Sequence, residues 1–141
     1  MSVHYEIVLS CFLRDDTPDH VLDLLRWHLE LLDDHPDEEA DEDEDEVPLF
    51  APDPDSPLPG GAFAELRRQR RGSDADGDIH AWGVYARTYA LDDDLGEFFS
   101  LFELVAPHVA DDGYGGHVRD WLDSTLSLVT FGGGAFVLEQ Q

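Results

Sequence analysis

The sequence predicts an α+β fold in which two helices pack on one face of a mostly antiparallel sheet. Two stretches alternate apolar and polar residues as strands do, two others repeat apolar residues at helical spacing, and two short apolar runs flank a glycine turn near residue 133. Placing both helices on one sheet face is the economical way to bury both apolar stripes. We therefore expect a ferredoxin-like or related sandwich forming a single domain over residues 1–141.

The first stretch, VHYEIVLSCFLR, predicts a strand that is covered on one side. Its apolar face would carry Val3, Tyr5, Ile7, Leu9, Cys11 and Leu13, and its other face His4, Glu6, Ser10 and Arg14. Cys11, the single cysteine, has no partner for a disulfide within the chain. A buried thiol in a reducing compartment is the expectation for it, rather than a catalytic one.

Two segments have the spacing of amphipathic helices. The first helix is predicted over 18–32, with Thr17 as its N-cap and Pro18 at its first position. The second starts within LDDDLGEFFSLFELVAP, where Asp94 and Glu97 have the spacing of a capping box. Pro107 limits how far this second helix can continue.

An acidic and proline-rich stretch separates the first helix from the rest of the chain. Residues 33–60 contain DDHPDEEADEDEDE followed by VPLFAPDPDSPLPGG, and we expect them to form a flexible insertion within the single domain. After it, GAFAELRRQRR predicts a short helix that ends at Gly72. The next predicted elements are a turn at SDADGD, a strand over IHAWGVYARTYAL, a short strand or turn through Val118 and Trp121, and a terminal hairpin.

The charge balance restricts the classes of partner. The chain has 33 acidic residues against 8 arginines and no lysine, giving a formal net charge of -25. Such a charge repels polyanions, so direct binding to nucleic acid is not expected, whereas a basic protein partner is. The N-terminal stretch lacks the basic region and cleavage site of a signal peptide, and no apolar run is long enough to cross a bilayer. These features favour a cytoplasmic protein.

Catalytic and metal motifs are weak. The stretch SDADGDIHAWG resembles part of a calcium loop, but glycines occupy the first and the last ligand positions. A polar turn explains it better. His108 and His117 flank VADDGYGG, and neither belongs to a zinc-binding pair. We assign no catalytic residue, metal or cofactor, and an enzymatic function is not the favoured one.

Two sets of residues are candidates for binding. Tyr85, Arg87 and Tyr89 alternate on one strand and can share a sheet face with His4, Glu6 and Ser10, which suits self-association or a ligand. The alternative is that the chain's own linker or hairpin covers this face. The second set is the basic cluster Arg67, Arg68, Arg70 and Arg71. It can pair loosely with the acidic run or take part in binding a partner.

The segments VLDLLRWHL and FELVAPHVADDGYGGHVRD resemble segments of small acidic proteins of unknown function encoded in high-GC bacterial genomes. The resemblance covers about half of the chain, leaves out the acidic insertion and implies no activity. The sequence thus predicts a small interaction or regulatory module, with homodimerisation through its sheet as a further expectation. The alternative is a domain that binds or converts a small molecule on the Tyr85, Arg87 and Tyr89 face, as in dimeric ferredoxin-like barrels.

Overall fold

Six strands form one antiparallel sheet in the computed structural model, which describes residues 3–36, 47–122 and 125–140. Their order across the sheet is β2-β3-β1-β4-β5-β6. The elements in chain order are β1 (His4–Arg14), α1 (Asp19–His28), β2 (Phe63–Asp74), β3 (Gly77–Leu91), α2 (Leu95–Val105), β4 (Gly113–Asp120), β5 (Leu126–Gly132) and β6 (Ala135–Gln140). Short 3-10 turns flank α2 at Asp92–Asp94 and at Ala106–His108.

The predicted fold class, a ferredoxin-like or related α+β sandwich, is wrong. Strands make up 49% of the structure and helices 21%, so a six-stranded sheet and not a pair of sheet-covering helices dominates the molecule. The sheet is also wider than predicted, because two segments that were expected to form a helix and a short strand or turn are full strands. These are β2 and β4.

The basic segment forms β2 because its residues alternate. Ala64 and Leu66 pack against the core, while Glu65 and Arg67 alternate with them and point to the other side. The predicted short helix over GAFAELRRQRR is therefore wrong. The polar turn after it is confirmed, since β2 ends at Asp74 and β3 begins at Gly77. The terminal hairpin is also confirmed, as β5 and β6 flank Gly133 and Gly134.

Strand β4 depends on a close approach that only glycine permits. Gly116 has a φ of +140°, and a Cβ atom at this position would overlap the carbonyl oxygen of Val8 in β1. Beside it, the register between β4 and β5 shifts between Tyr114 and Gly116. This bulge lets a glycine-rich segment that reads as a turn lie in the middle of the sheet.

The core lies on the predicted apolar face of β1. Ile7, Leu9 and Leu13 are fully buried, and Tyr5 and Cys11 pack against the same cluster. Both helices contribute to this cluster, whose members from α1 and α2 are Leu22, Leu25, Phe98, Leu101, Phe102 and Val105. Burial raises the pKa of the Cys11 thiol to about 12, so the thiol is protonated at neutral pH.

Helix α1 is shorter than the predicted 18–32 at its C-terminal end. Its last turn closes with hydrogen bonds from the Glu30 N–H to the Trp27 carbonyl and from the Leu31 N–H to the Arg26 carbonyl. This is the Schellman arrangement, and it places Glu30 in the left-handed region at φ 56°. At the other end Pro18 is the N-cap residue, while the Thr17 hydroxyl donates to the Arg14 carbonyl.

Two predictions of side-chain capping are therefore wrong. Thr17 does not cap α1, because its hydroxyl closes the preceding turn instead. At α2, Asp94 occupies the N-cap position but makes no side-chain capping hydrogen bond. The preceding 3-10 turn leads directly into the helix with Asp94 in a helical conformation, so the geometry of a capping box does not arise.

The described part of the insertion contacts both helices through Leu49 and Phe50. Phe50 is fully buried and its ring meets that of Phe98 edge-on, with centroids 5.2 Å apart. His28 accepts two hydrogen bonds from this segment. The Leu49 N–H donates to its Nδ1 atom at 3.2 Å, and the Phe50 N–H donates to its carbonyl oxygen at 2.9 Å. The acidic run at 37–46 lies outside the described residues.

Candidate functional site

The sheet face opposite the core carries most of the predicted site residues, and we call it the outer face. It is defined by Glu6, Val8, Ser10 and Phe12 of β1 and by Tyr85, Arg87 and Tyr89 of β3, which alternate with core residues. In the β1–β3 register Glu6 lies opposite Tyr89, and Ser10 lies opposite Tyr85. The two strands thus bring the predicted residues to one surface, although the surface has two separate regions.

The first region is an open groove of about 380 Å³, which we call the outer groove. Its floor lies at Gly83. The Gln69 side chain and the Phe12 ring occupy the space that a Cβ atom on residue 83 would need. The polar and aromatic lining of the groove consists of Ser10, Phe12, Glu65, Arg67, Gln69, Tyr85, Asp111, Asp112 and Tyr114. Of the predicted ligand or interface candidates, Tyr85 lines this groove.

The second region is an aromatic cluster at the opposite end of β1. The rings of His4 and Tyr89 stack with centroids 4.7 Å apart, and Trp121 meets Tyr89 edge-on at 5.8 Å. The guanidinium of Arg119 lies 4.9 Å from the centroid of the Trp121 ring. His4 and Tyr89 therefore contact each other and Trp121, and they do not line the outer groove with Tyr85.

Glu6 and its two basic neighbours lie between the two regions. Glu6 is only 7% exposed, and its Oε1 atom accepts hydrogen bonds from His117 Nε2 at 2.9 Å and from Arg119 Nε at 3.1 Å. Burial raises the pKa of Glu6, but the His117 hydrogen bond and the charge of Arg119 outweigh this effect and hold the pKa below its usual value. The carboxylate is ionised at neutral pH, so the His117 proton lies on Nε2.

His117 extends this polar chain to the groove. Its Nδ1 atom lies 3.3 Å from the hydroxyl of Tyr114, which donates to it when the imidazole is neutral. Burial raises the pKa of Tyr114, and the charges of Tyr85 and Glu6 raise it further. The phenol therefore stays protonated at neutral pH, and a hydrogen bond fixes its position although the residue is 54% exposed.

The guanidinium of Arg87 is hydrogen-bonded to the proline-rich loop and lies in neither region. It donates to the carbonyl oxygens of Pro59 and Gly61, the latter at 2.8 Å. The chain's own proline-rich loop thus occupies this position on the outer face, which is the alternative that the sequence left open for the face as a whole. The structure does not bring Tyr85, Arg87 and Tyr89 together in either region, and a ligand site that uses all three stays a prediction.

The four arginines of the basic cluster lie on both faces of β2. Each forms an ion pair with a carboxylate of a described residue. Arg67 pairs with Glu65 on the outer face, and Arg68 pairs with Asp15 through two hydrogen bonds of 2.8 and 2.9 Å. The Arg68 hydrogen bond lowers the pKa of Asp15. Arg70 lies 3.0 Å from Asp78. Pairing with the acidic run stays a prediction, because that run falls outside the described residues.

Arg67 lines the outer groove, and Arg71 contacts two other residues of its lining. The Arg71 guanidinium lies 4.1 Å from the centroid of the Phe12 ring, and its Nη1 atom is 2.6 Å from the Asp111 carboxylate. A planar cation is thus held between an aromatic face and a carboxylate at the groove wall. Asp112 lines the same groove and has no hydrogen-bond or ion-pair partner among the described residues.

Sequence reasoning did not identify the β4 residues of this site. Tyr114 and His117 lie in HVADDGYGGH, ahead of the predicted short strand or turn through Val118 and Trp121, and Arg119 lies within it. The sequence therefore does not predict the contacts of His117 and Arg119 with β1. The alternation of His117, Val118 and Arg119 is the one local signal of a strand. Their partner Glu6 is more than a hundred residues away, and the register between the strands is not visible in one sequence.

The described residues contain no group of three or more His, Cys, Asp or Glu side chains that could hold a metal ion. In the turn that resembles a calcium loop, the Asp74 carboxylate accepts the N–H of Asp76. No helix among these residues has both the length and the apolar composition needed to cross a membrane. Comparisons of the chain with protein-family models, curated proteins and solved structures find no match.

Proposed function

We propose that this chain is a non-catalytic interaction module that binds a basic segment of a protein partner in the outer groove. The observation that carries the proposal is the composition of one open surface. Three carboxylates, on Glu65, Asp111 and Asp112, lie there beside the aromatic rings of Phe12, Tyr85 and Tyr114, and Arg67, the one cation among the described lining residues, pairs with Glu65. Aromatic anchors bordered by charged groups are typical of the energetically important parts of protein interfaces.

The total charge supports a basic partner. A formal net charge of -25 on 141 residues produces a negative potential around the molecule, which attracts basic proteins and raises their association rate. Asp112 has no cationic partner within the described residues, so its charge is available to a bound lysine or arginine. Binding should weaken as salt screens these charges.

The contact of Arg71 supports an arginine as the binding group. Its guanidinium already lies between Phe12 and Asp111, so the groove wall has the chemistry and spacing that a guanidinium requires. A partner's arginine can stack on Tyr85 or Tyr114 and reach Asp112 in the same way. Lysine lacks the planar group, so we expect an arginine-rich peptide to bind more tightly than a lysine-rich peptide of equal length.

The position of Tyr114 reduces the entropic cost of binding. Its hydroxyl is hydrogen-bonded to His117, which is held in turn by Glu6, so the exposed ring is fixed before a partner arrives. An exposed ring without such a contact would lose rotational freedom on binding, and this loss would reduce affinity. The Glu6, His117 and Tyr114 chain therefore acts as a support for an anchor residue.

The proposal is tested with a fluorescent arginine-rich peptide and variants that remove one charge each. Asp112→Asn removes a groove carboxylate, and Asp93→Asn removes an exposed carboxylate of the 3-10 turn before α2, so both change the net charge equally. We expect Asp112→Asn to weaken peptide binding clearly more than Asp93→Asn does. Equal effects of the two variants would show that the peptide responds to total charge, which would contradict a specific groove.

A second candidate function is the binding of a small molecule in the same groove. The specific observation is its volume, about 380 Å³, which lies within the range of ligand sites. The hydrogen-bonded Tyr114 could then orient a polar ligand as a donor. A metabolite screen by thermal shift tests this alternative, because a ligand in large excess stabilises the folded state.

A further inference from the structure

The two edge strands of the sheet differ in a way that points to a second contact surface. Edge strand β2 carries four arginines and a bulge between Arg70 and Gly72, features that protect sheet edges against further pairing. Edge strand β6 has the sequence AFVLEQ, with Glu139 as its one charged residue. Val137 is 53% exposed and Leu138 is 40% exposed.

The hairpin geometry determines which backbone groups of β6 are free. Gly133 and Gly134 form a two-residue turn with φ values of 61° and 79°, and Gly132 pairs with Ala135 across it. In such a hairpin the closing pair is hydrogen-bonded, and hydrogen-bonded pairs then alternate along the ladder. Ala135, Val137 and Glu139 therefore direct their amide and carbonyl groups toward β5.

The intervening residues direct their backbone groups away from the sheet. These are Phe136, Leu138 and Gln140, and within the described residues no other strand pairs with them. The Phe136 ring is anchored on α2, with centroid distances of 6.1 Å to Phe99 and 5.6 Å to Phe102. The edge is thus supported from beneath while its hydrogen-bonding groups point outward.

We propose that β6 pairs antiparallel with β6 of a second copy of this chain, with the two-fold axis at Leu138. In this register Leu138 faces its own copy, and Phe136 faces Gln140, so every outward amide and carbonyl of these three residues gains a partner. Val137 then lies opposite Glu139. The two Glu139 carboxylates do not face each other, and the apolar side chains of Val137 and Leu138 become covered.

A second copy fits this edge because the same three residues supply both sides of the pairing. The backbone of β6 keeps its conformation when the two copies meet. The cost is electrostatic, since two chains of net charge -25 repel each other. Salt screens this repulsion over a Debye length of about 8 Å at physiological ionic strength. The dimer should therefore strengthen as salt is added, whereas binding of a basic peptide in the outer groove should weaken. The two contacts are independent and respond to salt in opposite directions.

The test is sedimentation velocity over a wide range of protein concentration at low and high salt, with Leu138→Pro as the blocking variant. A proline at an outward position removes an amide that β5 does not use, so the β5–β6 hairpin is retained while the edge is blocked. Leu138→Val keeps that amide and serves as the matched control. We expect a salt-promoted dimer in the wild type and Leu138→Val and its loss in Leu138→Pro, at a thermal midpoint close to that of the wild type.

Cysteine crosslinking tests the register without the proline. Leu138→Cys places two thiols opposite each other at the axis, and the native Cys11 is half-buried and protonated, so its background reaction is low. Leu122→Cys, at the 82% exposed Leu122, is the control for random collision. Faster oxidation of Leu138→Cys to a dimer supports the pairing. Equal oxidation rates, or a monomer at every salt and protein concentration, would overturn it, the latter pointing to a strand of another protein as the occupant of β6.

Discussion

The Nε2 atom of His117 lies 2.9 Å from the Oε1 atom of Glu6, although the two residues are 111 positions apart in the chain. This contact joins β4 to β1 on the outer face. It buries a carboxylate beside two basic groups and holds the Tyr114 hydroxyl at the rim of the outer groove. We therefore expect the stability of the outer face to depend on this one buried carboxylate.

Replacing this carboxylate should reduce stability. Glu6→Gln keeps the shape of the side chain but removes the charge that His117 and Arg119 meet, and we expect a loss of about 1–3 kcal/mol in the free energy of unfolding at pH 7. Urea denaturation measures it. Glu97→Gln, on exposed α2 surface, is the control and should change stability little. A Glu6→Gln protein as stable as the wild type would mean that the buried contact contributes no net stability.

The same contact predicts a dependence on acid. The pKa of Glu6 is lower in the folded state than its ordinary value of 4.5, so the folded state binds this proton less readily than the unfolded state. The contribution is present above about pH 4.5 and is lost as pH falls through the folded pKa. The difference in unfolding free energy between wild type and Glu6→Gln should therefore shrink below pH 4.5. A constant difference down to pH 3 would contradict this assignment.

His28 predicts a second acid-sensitive step at a higher pH. Burial, and then the nearby His35, lowers the pKa of His28 from 6.5 to about 4, so the folded state keeps the ring neutral. Stability is full above pH 6.5 and declines as pH falls toward 4, by on the order of 3 kcal/mol. His28→Gln can still accept the Leu49 N–H but does not titrate. The pH dependence of stability between 6.5 and 4 should be smaller in this variant, measured by urea denaturation at both pH values.

Glu30 should be replaceable with a gain in stability. It adopts the left-handed conformation that ends α1, which costs a residue with a Cβ atom about 1–2 kcal/mol. Glu30→Gly removes this cost, and we expect a rise in the free energy of unfolding of roughly 0.5–1 kcal/mol after the entropy of glycine is counted. Glu30→Ala retains the Cβ atom and should show no comparable rise. Equal stability of the two variants would place the strain elsewhere.

Two glycines should respond in opposite ways to the same change. A Cβ atom on Gly116 would meet the backbone of Val8 and Leu9, which cannot move aside within the sheet. Gly116→Ala should therefore cost about 2–5 kcal/mol or abolish folding. Gly96 lies in α2 with no atom within 4 Å of such a Cβ, and Gly96→Ala should stabilise by up to about 1 kcal/mol. Thermal and urea unfolding measure both, and a tolerated Gly116→Ala would contradict the β1–β4 register.

The sequence predicts those elements whose signal is local. The alternation of Ile7 and Leu9 with Glu6 and Ser10 identifies β1 and its buried face, and the glycines at 133 and 134 identify the last hairpin. The face shared by β1 and β3 follows from the same alternation. The sequence does not predict which strands pair when they are far apart in the chain. Strand β4 reads as a turn because its glycines are needed for contact with β1, which only the folded chain reveals.

The basic cluster shows a second limit of local patterns. Its composition suits a helix, but the long partner strand β3 pairs with it from end to end and overrides that preference. Its four arginines then alternate between faces, and Arg71 alone of the four stacks on Phe12. The groove that we propose as the binding site is formed by β1, β2, β3 and the 111–114 segment together. Its existence could not be read from any single stretch.

Backbone NMR of the labelled protein during titration with an arginine-rich peptide tests groove binding residue by residue. Binding in the outer groove predicts salt-sensitive, saturable shift changes centred on Ser10, Tyr85, Asp112 and Tyr114. They should be strongly reduced in Asp112→Asn and retained in Asp93→Asn. Shift changes confined to the acidic run at 37–46, with the groove signals unmoved, would contradict the proposed function.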